Sequence, residues 1–206
     1  MSSHSFHLPS VLAQRPVSNL PTEELPYPDY CYEGDRSPRL LDVIDVPLLN
    51  SVPHDYQTEN HLISKDRWVR RGSLPWSHLD QFLDHPDSLW ANVDSTICGG
   101  ENNCMSPEIA AKYAYSLLLI GPEMLTVEVG TTTRVSRSKT YRGRFTYNDI
   151  HYCFKITDPV VRATFRDKDP GEYKLCRVCL CLSLTKPYEG DGRCHKLIAA
   201  VIGDGG

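Results

Sequence analysis

Residues 139–158 read KTYRGRFTYNDIHYCFKITD, and this stretch contains the clearest strand, turn and helix-cap patterns of the chain. Apolar and aromatic side chains recur through residues 140–147 and 150–157, which predicts two strands. Asn148-Asp149 lies between them and has the residue types of a tight hairpin turn. Asp158 suits the cap position of a following helix, since its carboxylate can accept hydrogen bonds from first-turn N–H groups. The stretch therefore predicts a β-hairpin that leads into a short helix.

Apolar runs on either side extend this unit. They occupy residues 117–120 and 125–129 before the hairpin, and residues 176–184 and 194–202 after the helix. The loop KPYEGDGR at 186–193 separates the last two runs. Four apolar runs precede the helix and two follow it, and we interpret the unit as the three strands, helix and two strands of a five-stranded OB barrel, whose sheet closes on itself. We therefore predict a C-terminal OB-fold barrel over residues 113–206.

The residues before this barrel predict a second, less regular unit. Residues 40–49, LLDVIDVPLL, are interpreted as a strand that Pro47 ends. Residues 1–38 are rich in proline, as in NLPTEELPYPDY, and proline removes backbone donors and blocks helix interiors. We expect residues 1–38 to form an extended arm and residues 39–112 to form a separate N-terminal unit.

Two short helices are predicted inside this unit. The first spans about 74–84, where Ser73 can cap and Pro75 fits the first turn. The second spans about 107–115 and follows Ser106 as its cap. The predicted fold class is therefore mainly β with short helices (α+β).

The composition is typical of a folded cytoplasmic protein. The chain has 206 residues, a net charge of −4 and 40% hydrophobic residues, which excludes disordered and fibrous classes. Its longest apolar run, residues 197–202, is far shorter than the ~20 residues of a membrane span. The first sixteen residues lack the basic and apolar regions of a signal peptide. We expect cytoplasmic localisation, no membrane partner, and cysteines that are mainly core thiols.

The strongest local charge feature is RVSRSKTYRGR at residues 134–144, which contains five cations and no acid. The rest of the chain therefore sums to −9, since the total is −4. Cations and aromatics alternate along the predicted strand, which places them on opposite faces. OB barrels bind single strands with a basic groove, and a solvated hairpin whose aromatics fill the core is the alternative. The candidate nucleic-acid-binding residues are Arg134, Arg137, Lys139, Arg142 and Arg144.

Two other clusters contain residue types that occur in metal sites or catalytic sites. Cys176-x-x-Cys179 resembles a zinc pair, but in a strand residues three apart point to opposite faces, so buried thiols are favoured. The other cluster could serve a metal-dependent nuclease or hydrolase, or could be a hydrated loop; it consists of His54, Asp55, Glu59 and His61. The common phosphate-loop and hydrolase motifs are absent from the sequence. We therefore predict no catalytic residues, no metal ligands and no cofactor.

Several blocks in one order also resemble the bacterial dual-OB-containing domain proteins. The resemblance covers roughly residues 15–202 and includes RPVS at 15–18, PRLLDVIDVPLL at 38–49, ENHLI at 59–63, TDPVV at 157–161, SL at 183–184, PYEG at 187–190 and KLIAAVI at 196–202. The resemblance implies two OB-like small barrels in tandem, with residues 39–112 as the N-terminal OB-like half, and binding of nucleic acid or nucleotide. Family members carry two strands before the RPVS block, whereas fourteen dissimilar residues precede it here, so we expect either that the first barrel is incomplete or that this sequence begins late.

Together these observations predict a non-catalytic module that binds nucleic acid or a nucleotide. The expected ligand is a single strand or nucleotide held at a basic face of the C-terminal barrel. The alternative is a protein-interaction or scaffold subunit of a larger bacterial system. In that alternative the N-terminal arm binds a protein partner, because segments that cannot bury a core by themselves often order on a partner.

Overall fold

The structure, a computed structural model, describes residues 13–32, 36–96, 99–131 and 138–203. Within these ranges the chain is mainly β with three short helices, which confirms the predicted fold class. The strands are β1 Arg15–Val17, β2 Asp42–Asp45, β3 Leu48–Ser51, β4 Asn60–Ile63, β5 Val69–Ser73, β6 Cys104–Met105, β7 Leu117–Ile120, β8 Met124–Thr131, β9 Lys139–Tyr147, β10 Ile150–Ile156, β11 Gly171–Cys176, β12 Val178–Pro187 and β13 Cys194–Gly203. The helices are a 3₁₀-helix at Trp76–Phe82, α1 at Pro107–Ala110 and α2 at Pro159–Thr164.

The C-terminal strands form one large sheet in the order β11-β8-β9-β10-β13-β12-β7, and β6 pairs with β13. The turn between β9 and β10 is formed by Asn148 and Asp149, with φ of 48° and 61°. Two consecutive positive φ angles are typical of the two-residue hairpin turn that these residue types favour, as the sequence predicts.

Helix α2 begins as the sequence predicts. Asp158 occupies its N-cap, where Oδ1 accepts hydrogen bonds from Val160 N at 2.7 Å and Val161 N at 3.3 Å. Oδ2 of the same carboxylate accepts from Val201 N at 2.8 Å, so Asp158 also joins the helix to β13. Strand β13 then pairs in parallel with β10, but four strands (β7 to β10) precede α2 and three (β11 to β13) follow it, which differs from the predicted order of three strands, a helix and two strands.

The strands described do not form a closed ring of hydrogen-bonded neighbours, contrary to the predicted closed sheet. The path of paired strands ends at β11 and at β7. Arg177, with φ of 54°, separates β11 from β12, so that β11 pairs with β8 while β12 pairs with β7 and β13. The sequence pattern predicts a single strand from residue 176 to 184. Strand β11 is not predicted because the residues before 176 are charged and do not form an apolar run.

The largest hydrophobic core lies on the inner face of this sheet. Aromatic side chains dominate its centre: Phe145 stacks on Tyr152 with ring centroids 5.5 Å apart, and Phe154 meets both rings edge-on. Trp90 and Met105 from the preceding region are buried in the same core. Residues on both sides of the predicted boundary at residue 112 thus share one core, while the boundaries at residues 38 and 112 stay a prediction.

The N-terminal region forms two small sheets. Strand β4 lies between β1, with which it pairs in parallel, and the antiparallel β3, while β2 pairs with β5. The prediction of one strand over residues 40–49 is therefore wrong. Pro47 lies between β2 and β3, and because proline has no N–H to donate, the chain changes partner strand there.

The predicted helices are shorter in the structure. Pro75 occupies the N-cap of the 3₁₀-helix, so Ser73, the last residue of β5, is not its cap. Helix α1 begins after Ser106 as predicted but ends at Ala110, five residues before the predicted end. Leu79 is the buried residue of the 3₁₀-helix and packs beside Cys179 and Ile202, so this helix covers the large sheet.

Candidate functional site

Strand β9 alternates in burial as the sequence pattern indicates. Tyr141 and Phe145 are 7% and 3% exposed, so their rings face the core. Arg142 is half-buried and Arg144 is exposed, on the opposite face. The aromatic rings of β9 therefore hold the core together and are not presented to a ligand, whereas its arginines are.

The five predicted binding residues do not lie together in the structure. Arg134 and Arg137 lie outside the described residues. The ammonium of Lys139 donates a hydrogen bond to the backbone carbonyl of Lys168, at the end of the sheet near α2. Only Arg142 and Arg144 lie side by side on the outer face of the sheet, so the structure does not bring the described members of the set into one patch.

Arg144 is neutralised by carboxylates that are distant in sequence. Its Nε and Nη2 donate to Oε1 of Glu128 at 2.8 Å and 2.6 Å, and its Nη1 lies 3.4 Å from Oε2 of Glu101. The hydrogen bonds to Glu128 raise the pKa of the Arg144 guanidinium. The cluster is free of acids in sequence but not in space, because β8 places Glu128 beside β9.

Arg142 lies directly opposite Lys155 in the pairing of β9 with β10. Among the described residues, no carboxylate forms an ion pair with either cation; Glu128, which is opposite Arg142 on the other side, binds Arg144 instead. Like charges directly opposite each other destabilise a sheet. This pair is therefore an outward-facing positive centre without a partner in the described part of the chain.

The pair lies at one wall of a groove of about 990 Å³. We call this the basic groove: five of the fourteen residues that line it are Lys or Arg, and two are acidic. Its lining comprises Thr96, Asn103, Arg142, Lys155, Thr185, Lys186, Pro187, Tyr188, Glu189, Asp191, Arg193, His195, Lys196 and Leu197. Strands β9, β10, β12 and β13 and the β12–β13 loop thus contribute to one concave surface.

The β12–β13 loop presents an aromatic ring to solvent at this groove. Tyr188 is 62% exposed, and its ring lies 6.0 Å from that of His195 at an interplanar angle of 75°. The backbone carbonyl of Tyr188 accepts hydrogen bonds from Asp191 N and Gly192 N, which closes the loop. A Cβ at Gly190 would lie 2.5 Å from Cε1 of Tyr188, so a side chain there would displace the ring.

Other cations of the basic groove already have carboxylate partners. Lys186 Nζ lies 2.6 Å from Oε1 of Glu23, and Arg193 Nη1 lies 3.5 Å from Oδ2 of Asp94. Arg193 N also donates to Asp191, which lowers the pKa of that carboxyl. Of the Lys and Arg residues that line the groove, Arg142 and Lys155 are therefore the ones best placed to receive an anion.

Lys196 lines the groove but directs its ammonium away from solvent. Nζ donates to Ala91 O at 2.8 Å and to Asn92 Oδ1 at 3.0 Å, and it lies over the rings of Tyr152 and Phe154. Burial lowers the pKa of Lys196 to about 7. This lysine is 1% exposed and stabilises the end of the core, so it is not a ligand contact.

The structure does not assemble the predicted acidic and histidine cluster. His54 Nδ1 lies 3.3 Å from Asp55 Oδ2 at the surface, whereas Glu59 is buried and accepts hydrogen bonds from the N–H and hydroxyl of Ser116. His61 Nδ1 contacts the backbone carbonyl of Glu59 at 2.9 Å. Within the described ranges, no three His, Cys, Asp or Glu side chains are grouped so that they could hold a metal ion.

The cysteine pair and the N-terminal arm are placed as follows. Cys176 is exposed and Cys179 is buried, and because Arg177 separates their strands, β11 and β12, the spacing expected within one strand does not apply to this pair. In the described part of the arm, Arg15 donates to Ser183 Oγ at 3.0 Å, and Glu23 pairs with Lys186. Residues 13–32 therefore contact the C-terminal strands instead of extending into solvent. The helices described are all too short or too polar to cross a membrane.

Sequence reasoning missed three groups of the groove. Lys155 was hidden because it follows the apolar core of β10 and has no charged sequence neighbour. Tyr188 and Arg193 belong to a loop that the Pro, Gly and Asp content identifies only as a loop. The resemblance to a family with OB folds was the available signal, since OB barrels bind ligands at one sheet face and at the loop between their fourth and fifth strands.

Comparison with known proteins identifies a protein family. The family model described as the dual OB-containing domain matches residues 14–201 of the 206-residue chain. No curated protein and no solved structure matches the chain.

Proposed function

Because the chain belongs to the dual OB-containing domain family, we propose that it is a non-catalytic module that binds single-stranded nucleic acid or a nucleotide. The family membership by itself indicates a generic OB-fold binding module. The binding surface in this proposal is the basic groove, with Arg142 and Lys155 as phosphate contacts and Tyr188 as a stacking platform.

The observation that carries the proposal is the pair of Arg142 and Lys155, to which no carboxylate of the described residues is bound. Two cations opposite each other across β9 and β10 repel in the unliganded protein. A phosphate between them converts the repulsion into two charge-assisted hydrogen bonds, which are stronger than neutral ones. Lys and Arg contacts to phosphates also supply most of the affinity for nucleic acid in the absence of base-specific contacts.

The exposed ring of Tyr188 supports a ligand that contains bases. Aromatic rings on OB folds stack with nucleobases without strong sequence preference, since every base has a π-face. Tyr188 lines the same groove as the cation pair and is held by Gly190 and His195. A surface that combines phosphate contacts with one stacking ring fits a short single strand or a nucleotide better than it fits a duplex.

The arm offers a second candidate, a protein-interaction module. Leu20 and Tyr27 are 43% and 62% exposed, and they lie in a segment with little regular structure. The observation that favours nucleic acid over this candidate is the packing of Arg15 and Glu23 against β12, which leaves less of the described arm available to a partner.

The test is the affinity for a fluorescent single strand of about 15 nucleotides, DNA or RNA, a length that matches the upper site size of one OB fold, measured by anisotropy at low salt. We expect Arg142→Ala/Lys155→Ala to weaken binding at least tenfold. The matched control is Arg71→Ala/Lys174→Ala, which removes the same charge from two residues outside the groove. Equal loss in both double variants, or no binding by the native protein, would contradict the proposal.

A further inference from the structure

A second cavity, of about 450 Å³, lies where α2 meets the first residues of β9. It is lined by Ser138, Lys139, Tyr141, Pro159, Arg162, Ala163 and Arg166. Arg142 and Lys155 are not part of its lining, and Lys139 points to the core side of β9 while Arg142 points outward. This cavity is therefore separate from the basic groove.

All the charged residues that line this cavity are positive. Lys139, Arg162 and Arg166 contribute three cations, and no carboxylate belongs to the described lining, although the chain as a whole has a net charge of −4. The carboxylate of Asp158, at the start of α2, is directed to backbone N–H groups instead. The positive charge of the cavity is thus not compensated by its own described walls.

The two arginines are held close together by the backbone. Arg162 lies in α2, and Arg166 follows one turn later, where Arg166 N donates to Ala163 O. Like charges four residues apart on a helical surface destabilise it. Among the described residues, neither guanidinium forms an ion pair or a side-chain hydrogen bond, whereas Lys139 is held by the carbonyl of Lys168.

We propose that this cavity binds a phosphoryl group carrying two negative charges. Guanidinium groups present N–H donors in a planar fork that matches pairs of phosphate oxygens, and a lysine adds a compact charge. The volume of the cavity accommodates a phosphate with part of an attached nucleoside. This site uses none of the residues of the proposed function, so each can fail without the other.

Thermal unfolding of the full chain tests the site with inorganic phosphate as the probe. We expect phosphate at about 20 mM to raise the Tm by about 3 °C over sodium chloride of equal ionic strength, as expected for a millimolar Kd in a chain of this size. In the Arg142→Gln/Lys155→Gln background, which removes the phosphate contacts of the basic groove, Arg162→Gln/Arg166→Gln should abolish this increase, and this substitution should not lower the Tm without phosphate. Arg142→Gln/Lys155→Gln should keep the increase.

Two further ligands distinguish the source of the phosphoryl group. AMP that raises the Tm at tenfold lower concentration than phosphate identifies a nucleotide, and equal potency identifies free phosphate; both support the site. Adenosine, which has no phosphate, should have no effect. An increase that persists when Arg162→Gln/Arg166→Gln is added to Arg142→Gln/Lys155→Gln, an equal effect of adenosine, or no increase with phosphate overturns the proposal. NMR shifts of the arginine Nε–H groups provide a second reading of the same outcome.

Discussion

Arg142 on β9 and Lys155 on β10 are direct cross-strand partners, and among the described residues neither has a carboxylate bound to it. The nearest acid in the pairing register, Glu128, is held by Arg144 at 2.6 Å. Arg142 and Lys155 therefore repel each other across the two strands, and a carboxylate bound to either of them would reduce this repulsion. Because of this arrangement, we propose that this face of the sheet binds an anion.

Removal of one member of the pair should stabilise the unliganded protein. We expect Lys155→Gln to raise the free energy of unfolding by about 0.5 kcal/mol, since cross-strand pairs contribute roughly 0.2–1 kcal/mol. Urea denaturation at low salt measures this. The control is Lys174→Gln on β11, where the cross-strand partner is the uncharged Thr126 of β8. This substitution should leave the free energy of unfolding unchanged. A loss of stability in Lys155→Gln would show that the pair does not repel.

Arg144 should contribute little to ligand binding although it lies beside Arg142. Its charge is already compensated by Glu128 and Glu101, so a phosphate would have to compete with both. We expect Arg144→Ala to change the affinity for a single strand less than twofold, whereas Arg142→Ala weakens it about fivefold. Because the ion pairs of Arg144 are half-exposed, its removal should cost at most about 1 kcal/mol of stability. Equal losses of affinity in the two variants would refute this distinction.

Tyr188 should carry the base contact. Stacking of one base on an aromatic ring is worth about 1–3 kcal/mol, so Tyr188→Ala should weaken single-strand binding by roughly 5- to 150-fold. Tyr188→Phe keeps the ring and should bind as the native protein does. Gly190→Ala should lower affinity too, because its Cβ would lie 2.5 Å from the ring. Anisotropy titrations measure all three, and a Tyr188→Ala variant of native affinity would exclude stacking.

The buried Lys196 should make stability depend on pH. Its pKa is about 7 in the folded protein, whereas an exposed lysine in the unfolded chain has a pKa of 10.5. Between these values the unfolded chain binds a proton that the folded chain does not, so the free energy of unfolding rises with pH. The slope from this group approaches about 1.4 kcal/mol per pH unit.

Lys196→Met isolates this contribution. Denaturation between about pH 7 and 9 should show a rise in the native protein that the variant lacks, although the variant is less stable because Ala91 O and Asn92 Oδ1 lose their donor. Parallel pH profiles for the two proteins would mean that Lys196 is not responsible.

The local parts of the fold could be predicted from sequence because neighbours in sequence decide them. The hairpin depends on Asn148 and Asp149, which adopt positive φ, and the start of α2 depends on Asp158. The alternation along β9 follows from strand geometry alone. By contrast, β11 was missed because it pairs with β8 across a long separation, and only that pairing gives its charged sequence a regular structure.

The composition of the site depends on contacts that sequence does not reveal. The segment from Arg134 to Arg144 contains no acid, yet Glu101 and Glu128 reach Arg144 from 43 and 16 residues away. The cation that faces Arg142 is on the following strand, in an otherwise apolar run. The positive charge of residues 134–144 therefore indicated the face of the sheet on which Arg142 lies. It did not indicate that Arg142 and Lys155 are the cations of that face without a bound carboxylate among the described residues.

The salt dependence of single-strand binding is the most direct test of the proposal that Arg142 and Lys155 contact phosphates. Each phosphate contact adds about 0.7 to the magnitude of the slope of log affinity against log salt concentration. Arg142→Ala/Lys155→Ala should therefore reduce that magnitude by about 1.4, while Arg71→Ala/Lys174→Ala leaves it unchanged. The same slope for the native protein and the Arg142→Ala/Lys155→Ala variant would contradict the assignment of this pair to phosphate binding.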